Sequence, residues 1–271
     1  MKRNTLFALG LLSITALVPV AAPGCADTEA TADASATPTV DAVATAEPEA
    51  AATTQPDATV ADSAKETSVE GCTAALETLL KPINKVSTGE VTILADGGGE
   101  RLLFVDATAG GAAGASQNPR TYVSLATGRR VDVTDKSAAT STDWDLALER
   151  AVLFANSGHG GPGSGSAVYV AKPFADVTAA DATGKTFPAE AFVDGSCNPI
   201  VDQTGAIKST FDGWYDYDGA TNKVAPKTGT FVVKGGKGAL YKVAITQYYA
   251  TADGGGPGLA GANYTLRVGV L

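Results

Sequence analysis

Histidine, methionine and cysteine are scarce in this 271-residue sequence, and their scarcity excludes several kinds of chemistry. It has one histidine, His159, one methionine, Met1, and three cysteines. A zinc or non-haem iron site built from several histidines is therefore excluded, and only His159 is available as the base of a serine protease triad. No Gly-x-Ser-x-Gly elbow occurs, and no Gly-Lys-Ser/Thr directly follows the glycine-rich run at 160–165, so no phosphate-binding P-loop is implied. We expect that the protein is not an enzyme.

Clustered basic residues are also lacking. The sequence has 20 lysines and arginines against 29 acidic residues, a net charge of -9. Residues 26–70 hold ten acidic residues and one basic residue, Lys65, so their net charge equals that of the whole sequence. Residues 71–271 hold 19 acidic and 17 basic residues. Nucleic-acid binding needs clustered positive charge, so we expect no nucleic-acid partner.

The N-terminal 25 residues are typical of a lipoprotein signal peptide. Lys2 and Arg3 precede an apolar run from residue 6 to residue 20, which is short for a bilayer span. Small residues then lead to Cys25, the expected lipidation site, so we expect an anchor at the outer membrane or cell surface. The alternative is a secreted or periplasmic protein cut near Ala22. Residues 26–70 have no aromatic side chain, which predicts a disordered acidic tether.

The two remaining cysteines, Cys72 and Cys197, are candidates for a disulfide. Export to an oxidising compartment would allow them to pair, and Cys197 lies in a loop-like Gly-Ser-Cys-Asn-Pro sequence. The alternative is two unpaired buried thiols. A disulfide would join the start of the domain to a loop 125 residues later.

Residues 71–271 have the alternation of an all-β domain. Tyr264, Leu266 and Val268 alternate with polar neighbours in the C-terminal run, as in a strand with one buried face. Ten segments of this kind predict a single, mostly antiparallel domain with long Gly-rich loops: 91–95, 102–106, 121–125, 129–133, 144–149, 167–171, 211–217, 230–234, 239–249 and 264–270. One short helix is predicted at 73–80, ended by Pro82.

The segment around Trp144 permits two interpretations. Strand alternation places Trp144, Leu146 and Leu148 on one side. Asp143 and Asp145 then share the opposite side, where a carboxylate pair would suit a glycoside hydrolase. Capping or ion pairing at the start of a strand is the interpretation that we prefer.

Several sequence blocks resemble the HmuY family, whose members are outer-membrane and cell-surface lipoproteins, some of which capture haem. The first is Trp144-Asp-Leu-Ala-Leu-Glu-Arg150 followed by Asn156-Ser-Gly and a glycine-rich run. The similarity continues, in order, through Thr121–Gly128, Gly213–Tyr217, Tyr241–Tyr249 and Asn263–Arg267. The resemblance spans residues 120–271 and implies haem as a cofactor, haem acquisition as a function and an outer-membrane transporter as a partner.

The ligands of haem iron depart from that family's pattern. The resemblance implies that haem-capturing members hold the iron with two axial histidine or methionine side chains, and two positions that can carry histidine in relatives are Glu149 and Asn222 here. His159 is then the candidate iron ligand, with Tyr248, Tyr249 or water as the second. The alternative for His159 is a polar residue in a glycine loop without a ligand role.

Two functions therefore follow from the resemblance. One is a haem or porphyrin-binding surface lipoprotein. The other is a surface binding or scaffolding module that keeps the fold without the axial ligands. Trp144, Trp214, Tyr215 and Tyr217 are expected to be core and strand-face residues rather than a porphyrin-stacking wall.

Overall fold

The computed structural model describes residues 69–271, except 112, 113, 115 and 116. Cys25, the signal peptide and nearly all of the tether lie outside the described residues. The twelve strands are β1 (Val91–Gly97), β2 (Glu100–Asp106), β3 (Thr121–Ser124), β4 (Arg129–Arg130), β5 (Leu146–Glu149), β6 (Val152–Ala155), β7 (Ser166–Val170), β8 (Tyr215–Asp218), β9 (Lys223–Pro226), β10 (Thr230–Lys234), β11 (Leu240–Gln247) and β12 (Asn263–Val270). The helices are α1 (Thr73–Leu80) and the single turn α2 (Asp135–Ala138).

The strands form three antiparallel sheets. The largest has six strands in the order β1-β2-β12-β11-β10-β7, the second has four in the order β4-β3-β5-β6, and β8 pairs with β9 alone. The prediction of a mostly antiparallel all-β fold with one short helix is therefore confirmed.

The main core lies between the two larger sheets. Leu103, Val243 and Leu266 of the six-stranded sheet belong to one buried cluster with Leu146 and Leu148 of β5. The alternation in β11 and β12 explains this packing, because every second side chain points to the same face.

A second apolar cluster covers the other face of the four-stranded sheet. It contains Tyr122, Trp144 and Phe154, against which Leu76 and Leu80 of α1 pack. The order of layers is therefore six-stranded sheet, four-stranded sheet and α1. Because β3 and β5 lie in the middle layer, nearly all of their residues are buried.

Three details of the sequence prediction are wrong. Trp144 lies in the cluster under α1, opposite Leu146 and Leu148, because β5 begins only at Leu146 and strand alternation does not extend back to residue 144. The predicted strand at 211–217 is a turn until residue 215, where β8 begins. The count of ten omits β6, whose Val-Leu-Phe-Ala sequence is too uniformly apolar to alternate, and β9, a short exposed strand.

Candidate functional site

The Asn156-Ser-Gly-His segment leaves β6 and begins a glycine-rich loop that is held in place by Asn156. This side chain is fully buried, and its Nδ2 donates to the carbonyl oxygens of Ser141 and Trp144, each at 2.9 Å. Its Oδ1 accepts from the backbone N–H of Gly163 at 3.0 Å. These three hydrogen bonds tie the glycine-rich loop to the backbone of Ser141 and Trp144, so the Asn156 side chain has a structural role.

Two glycines of this loop are required by close contacts. Gly158 has φ +51°, and a Cβ there would overlap the carbonyl oxygen of Glu190. At Gly161 a Cβ would overlap the Oδ1 of Asn156. The glycine-rich sequence therefore brings the loop close to the rest of the domain.

Glu190 is a buried carboxylate that sequence reasoning missed. Its Oε1 accepts from the backbone N–H of Ala155 at 2.8 Å and from the Thr210 hydroxyl at 2.7 Å, and its Oε2 accepts from the Thr210 N–H at 2.9 Å. Burial raises the pKa of Glu190, although these hydrogen bonds oppose the shift. Its neighbours in sequence, Ala189 and Ala191, give no signal of this role.

His159 is held on both sides by the segment that follows Glu190. Its backbone N–H donates to the Glu190 carbonyl oxygen at 2.9 Å, and its ring Nδ1 accepts from the Phe192 N–H at 2.9 Å. Partial burial lowers the pKa of His159, which favours the neutral ring. A neutral imidazole whose Nδ1 accepts a hydrogen bond carries its proton on Nε2.

This arrangement does not fit coordination of haem iron by His159. Iron needs a free lone pair on a ring nitrogen, but Nδ1 is occupied by the Phe192 N–H and Nε2 carries the proton. Metal-bound histidines show the reverse pattern, in which the second ring nitrogen donates its N–H to an acceptor. As placed here, His159 would have to lose a further proton or give up its hydrogen bond.

Tyr248, the other candidate ligand, lies in an aromatic cluster away from His159. Its ring centroid is 5.6 Å from that of Trp214 and 5.3 Å from that of Tyr264. Burial raises the pKa of Tyr248 to about 12, which disfavours the tyrosinate form that binds iron. Tyr249 is engaged as well, because its hydroxyl oxygen accepts from the Val224 N–H at 3.0 Å.

The aromatic residues predicted to be structural occupy different environments. Trp144 is fully buried, and its Nε1 donates to the Ala138 carbonyl oxygen at 3.1 Å. Trp214 is also buried, with its Nε1 donating to the Ala151 carbonyl oxygen at 3.0 Å. Tyr215 is half-buried, whereas Tyr217 is 57% exposed. Both tryptophans therefore serve as core residues with satisfied N–H groups.

The two positions that depart from the family's ligand pattern are tied to neighbouring side chains. Glu149 Oε2 lies 3.0 Å from Arg120 Nη2, and burial raises the pKa of this carboxyl. Asn222 lies in the turn between β8 and β9, where its Oδ1 accepts from the Tyr217 hydroxyl at 2.7 Å. A carboxylate bound to a guanidinium and an exposed amide are not typical axial ligands of haem.

Arg120 is a second buried charged residue that the sequence did not reveal, and it contacts several polar groups. Besides Glu149, its Nη1 lies 3.3 Å from Asp135 Oδ2, and its Nη2 donates to the Leu80 carbonyl oxygen at 2.7 Å. Its Nε is buried and has no hydrogen-bond partner among the described residues. Asp135 in turn accepts from the Tyr122 hydroxyl at 3.1 Å.

A cavity of about 510 Å³ lies beside His159 and Arg120. Its lining combines residues of α1, of the glycine-rich loop and of α2. The apolar residues among its lining include Leu76, Leu80, Phe154 and Pro162. Tyr248 does not line this cavity, so the structure does not bring the two proposed iron ligands together there.

The acidic residues Asp143 and Asp145 line the same surface cavity, and each is engaged by other groups of the protein. Asp143 is exposed and pairs with Lys237 at 2.7 Å. Asp145 is buried, where it accepts from the backbone N–H groups of Leu125 at 2.7 Å and Gly236 at 2.9 Å. The ion pair of Asp143 and the backbone hydrogen bonds of Asp145 just before β5 match the structural interpretation of these two residues.

Cys72 and Cys197 are joined by a disulfide in the structure, with Cα atoms 5.2 Å apart. The bond lies directly before α1 and therefore ties this helix to the 194–198 loop. Within the described part of the chain, no group of three or more His, Cys, Asp or Glu side chains is placed to hold a metal ion. Over the same residues, no helix is long and apolar enough to cross a membrane.

Comparison with known proteins gives a family match and several distant structural neighbours. The family model described as HmuY protein matches residues 116–264, and no curated protein matches the chain. A candidate HmuY-like heme-binding protein from Bacteroides vulgatus has 15% identity and a TM-score of 0.45, covering 66% of this chain and 96% of its own. The apo HmuY analog of Tannerella forsythia has 15% identity and a TM-score of 0.39, with coverages of 62% and 94%. A candidate lipoprotein from Bacteroides fragilis has 12% identity and a TM-score of 0.39, with coverages of 66% and 93%.

Proposed function

The chain belongs to the HmuY family, and from this premise we propose that it is a lipid-anchored binding protein in which His159 does not coordinate haem iron. The observation that carries the proposal is the 2.9 Å hydrogen bond from the Phe192 N–H to His159 Nδ1. This bond uses one ring nitrogen and fixes the proton on the other. The fold would then serve a ligand that is recognised by shape and hydrogen bonds.

The second candidate function is haem or porphyrin binding, with haem acquisition and an outer-membrane transporter as partner. Family membership supports this candidate. In that case the porphyrin would be held by apolar contact or by a ligand other than His159, since Nδ1 of that residue is occupied.

Anchoring of the domain at the outer membrane or cell surface is part of the proposal. The apolar N-terminal run, Cys25 and the acidic tether support it. Replacement Cys25→Ser is expected to move the protein from the membrane fraction to the soluble fraction. Equal recovery of wild type and variant in the membrane fraction would contradict lipid anchoring at this residue.

A haem titration followed by absorbance tests the proposal. The variant His159→Asn is the sharpest one, because Asn Oδ1 can accept the Phe192 N–H in place of Nδ1 while the ε nitrogen is removed. We expect wild type and His159→Asn to give the same Soret absorbance on haem addition, in both the ferric and the ferrous state. A saturable, sharpened Soret band that His159→Asn abolishes would overturn the proposal.

Two matched variants separate the remaining outcomes of the titration. His159→Gln removes the Nδ1 acceptor but keeps an amide nitrogen near the ε position, and Tyr248→Phe removes the hydroxyl of a second candidate ligand, which lies outside the cavity lining. A Soret band that persists in His159→Asn and Tyr248→Phe alike would support the second candidate, with haem held by neither residue.

A further inference from the structure

The cavity beside His159 has walls that are fixed at several points. The disulfide between Cys72 and Cys197 lies at the start of α1, and Arg120 Nη2 donates to the carbonyl oxygen of Leu80 at its end. The glycine-rich loop, which also contributes to the lining, is fixed by Asn156 and by the backbone of Glu190. A cavity whose walls are tied in this way is preformed, and its volume of about 510 Å³ is in the usual range for small-molecule sites.

Two hydrogen-bond donors of the cavity lining lack a protein acceptor. Arg120 is 5% exposed, and its Nε has no partner among the described residues, although buried donors normally have one. His159 uses Nδ1 for the Phe192 N–H, and within the described residues its Nε2–H makes no hydrogen bond. Arg120 Nε has almost no accessible surface, so the donor that a bound molecule can reach is the Nε2–H of half-buried His159, and an acceptor oxygen would supply its partner.

The charges around the cavity favour an uncharged ligand. The guanidinium of Arg120 already pairs with two carboxylates, those of Asp135 at 3.3 Å and Glu149 at 3.0 Å. A carboxylate on the ligand would place a third negative charge beside one positive charge, at a high cost in desolvation. The other charged residues of the lining, Glu77 and Lys136, are exposed and opposite in sign.

We propose that this cavity binds an uncharged, largely apolar small molecule that carries a carbonyl-type oxygen. The apolar body would contact Leu76, Leu80 and Phe154, and the oxygen would accept from the Nε2 of His159. This inference rests on the proposed binding function and names its site and ligand class.

Titration of the purified protein with Nile red tests this assignment. Nile red is an uncharged apolar dye with a carbonyl oxygen, and its fluorescence rises in an apolar environment. We expect saturable binding with one site per chain. Anilinonaphthalene sulfonate, an aromatic anion of similar size, should neither bind at this site nor displace Nile red. Absence of saturable Nile red binding, or displacement by the anion at similar concentrations, would overturn the proposal.

Three variants locate the dye. Ala139 is an exposed residue of the lining, so Ala139→Trp should fill the cavity without disturbing the core and abolish saturable binding. The matched control Ala180→Trp changes an exposed alanine outside the lining and should bind as wild type. His159→Asn keeps the Phe192 hydrogen bond but removes the ε donor, so binding should weaken about fivefold. Wild-type affinity in Ala139→Trp would overturn the assignment.

The outcome for this cavity is separable from the outcome for the proposed function. A Soret band that depends on His159 would overturn the proposed function even if Nile red binds as expected. Failure of Nile red to bind, in a protein that shows no such band, would overturn the cavity assignment alone.

Discussion

Replacement Asn156→Asp is expected to lower the free energy of unfolding by about 4 kcal/mol. Aspartate has nearly the same shape as asparagine, so packing at this fully buried position stays almost unchanged. What changes is the hydrogen bonding. Two amide donations at 2.9 Å, to the carbonyl oxygens of Ser141 and Trp144, are lost, and a carboxylate oxygen then faces both carbonyls.

The magnitude follows from the groups that lose their partners. Each buried acceptor left without a donor costs roughly 1–3 kcal/mol, and two are created here. A buried carboxylate among carbonyl oxygens adds desolvation and repulsion, which the single contact with the Gly163 N–H offsets in part. About 4 kcal/mol is a large share of the roughly 5–15 kcal/mol that stabilises a typical domain.

Urea unfolding followed by tryptophan fluorescence measures this loss, because Trp144 and Trp214 are both buried in the folded state. Asn222→Asp is the matched control. Asn222 is exposed, and an aspartate there can still accept from the Tyr217 hydroxyl, so we expect a change within about 0.5 kcal/mol. A loss of less than about 1 kcal/mol in Asn156→Asp would refute the structural role of this side chain.

Three further predictions concern the surroundings of the glycine-rich loop. Burial lowers the pKa of His159 below its ordinary value of 6.5, so the stability that the neutral ring contributes is present above pH 6.5 and is lost on acidification below it. His159→Asn should therefore flatten this part of the pH dependence of the free energy of unfolding in urea. Gly158→Ala should cost roughly 3 kcal/mol, since alanine is strained at φ +51° and its Cβ overlaps the Glu190 carbonyl, whereas unchanged stability would contradict this close contact of the loop. Replacing Cys72 and Cys197 together with serine should cost roughly 2–5 kcal/mol, because the bond closes a loop of 125 residues, and a reductant should destabilise only the wild type.

The regular elements were predictable where one local rule sufficed. The alternation in 264–270 predicted β12, and α1 was predicted at residues 73–80, where the structure has it. Both signals depend on neighbours in sequence, and Leu76 and Leu80 carry the apolar face of the helix. By contrast, β6 was missed because a strand covered on both faces has no alternation.

The chemistry of the candidate site was not predictable in the same way. Glu190 and Arg120 act through partners far away in the sequence, such as Ala155 and Leu80, and no local pattern marks either residue. The state of His159 depends on one backbone N–H, that of Phe192, 33 residues later. The sequence alone makes His159 the candidate, as the chain's one histidine, but the hydrogen bond to its Nδ1 is evident only in the fold.

The family-like motif itself has a structural explanation. Asn156 fixes the glycine-rich loop, Gly158 permits its contact with Glu190, and Trp144 fills the core under α1. These residues support the fold, so the motif by itself does not assign a ligand.

The protonation state of His159 is the most direct measurement. Because the chain has one histidine, protein labelled with ¹⁵N-histidine gives a single set of ring signals in a long-range ¹H–¹⁵N correlation spectrum. Near pH 7 we predict the neutral tautomer, with the proton on Nε2 and an unprotonated, hydrogen-bonded Nδ1. When ferric haem is added, we predict no signal of an iron-coordinated imidazole. A proton on Nδ1, with Nε2 unprotonated, would contradict the assignment and leave the Nε2 lone pair of His159 free to bind iron.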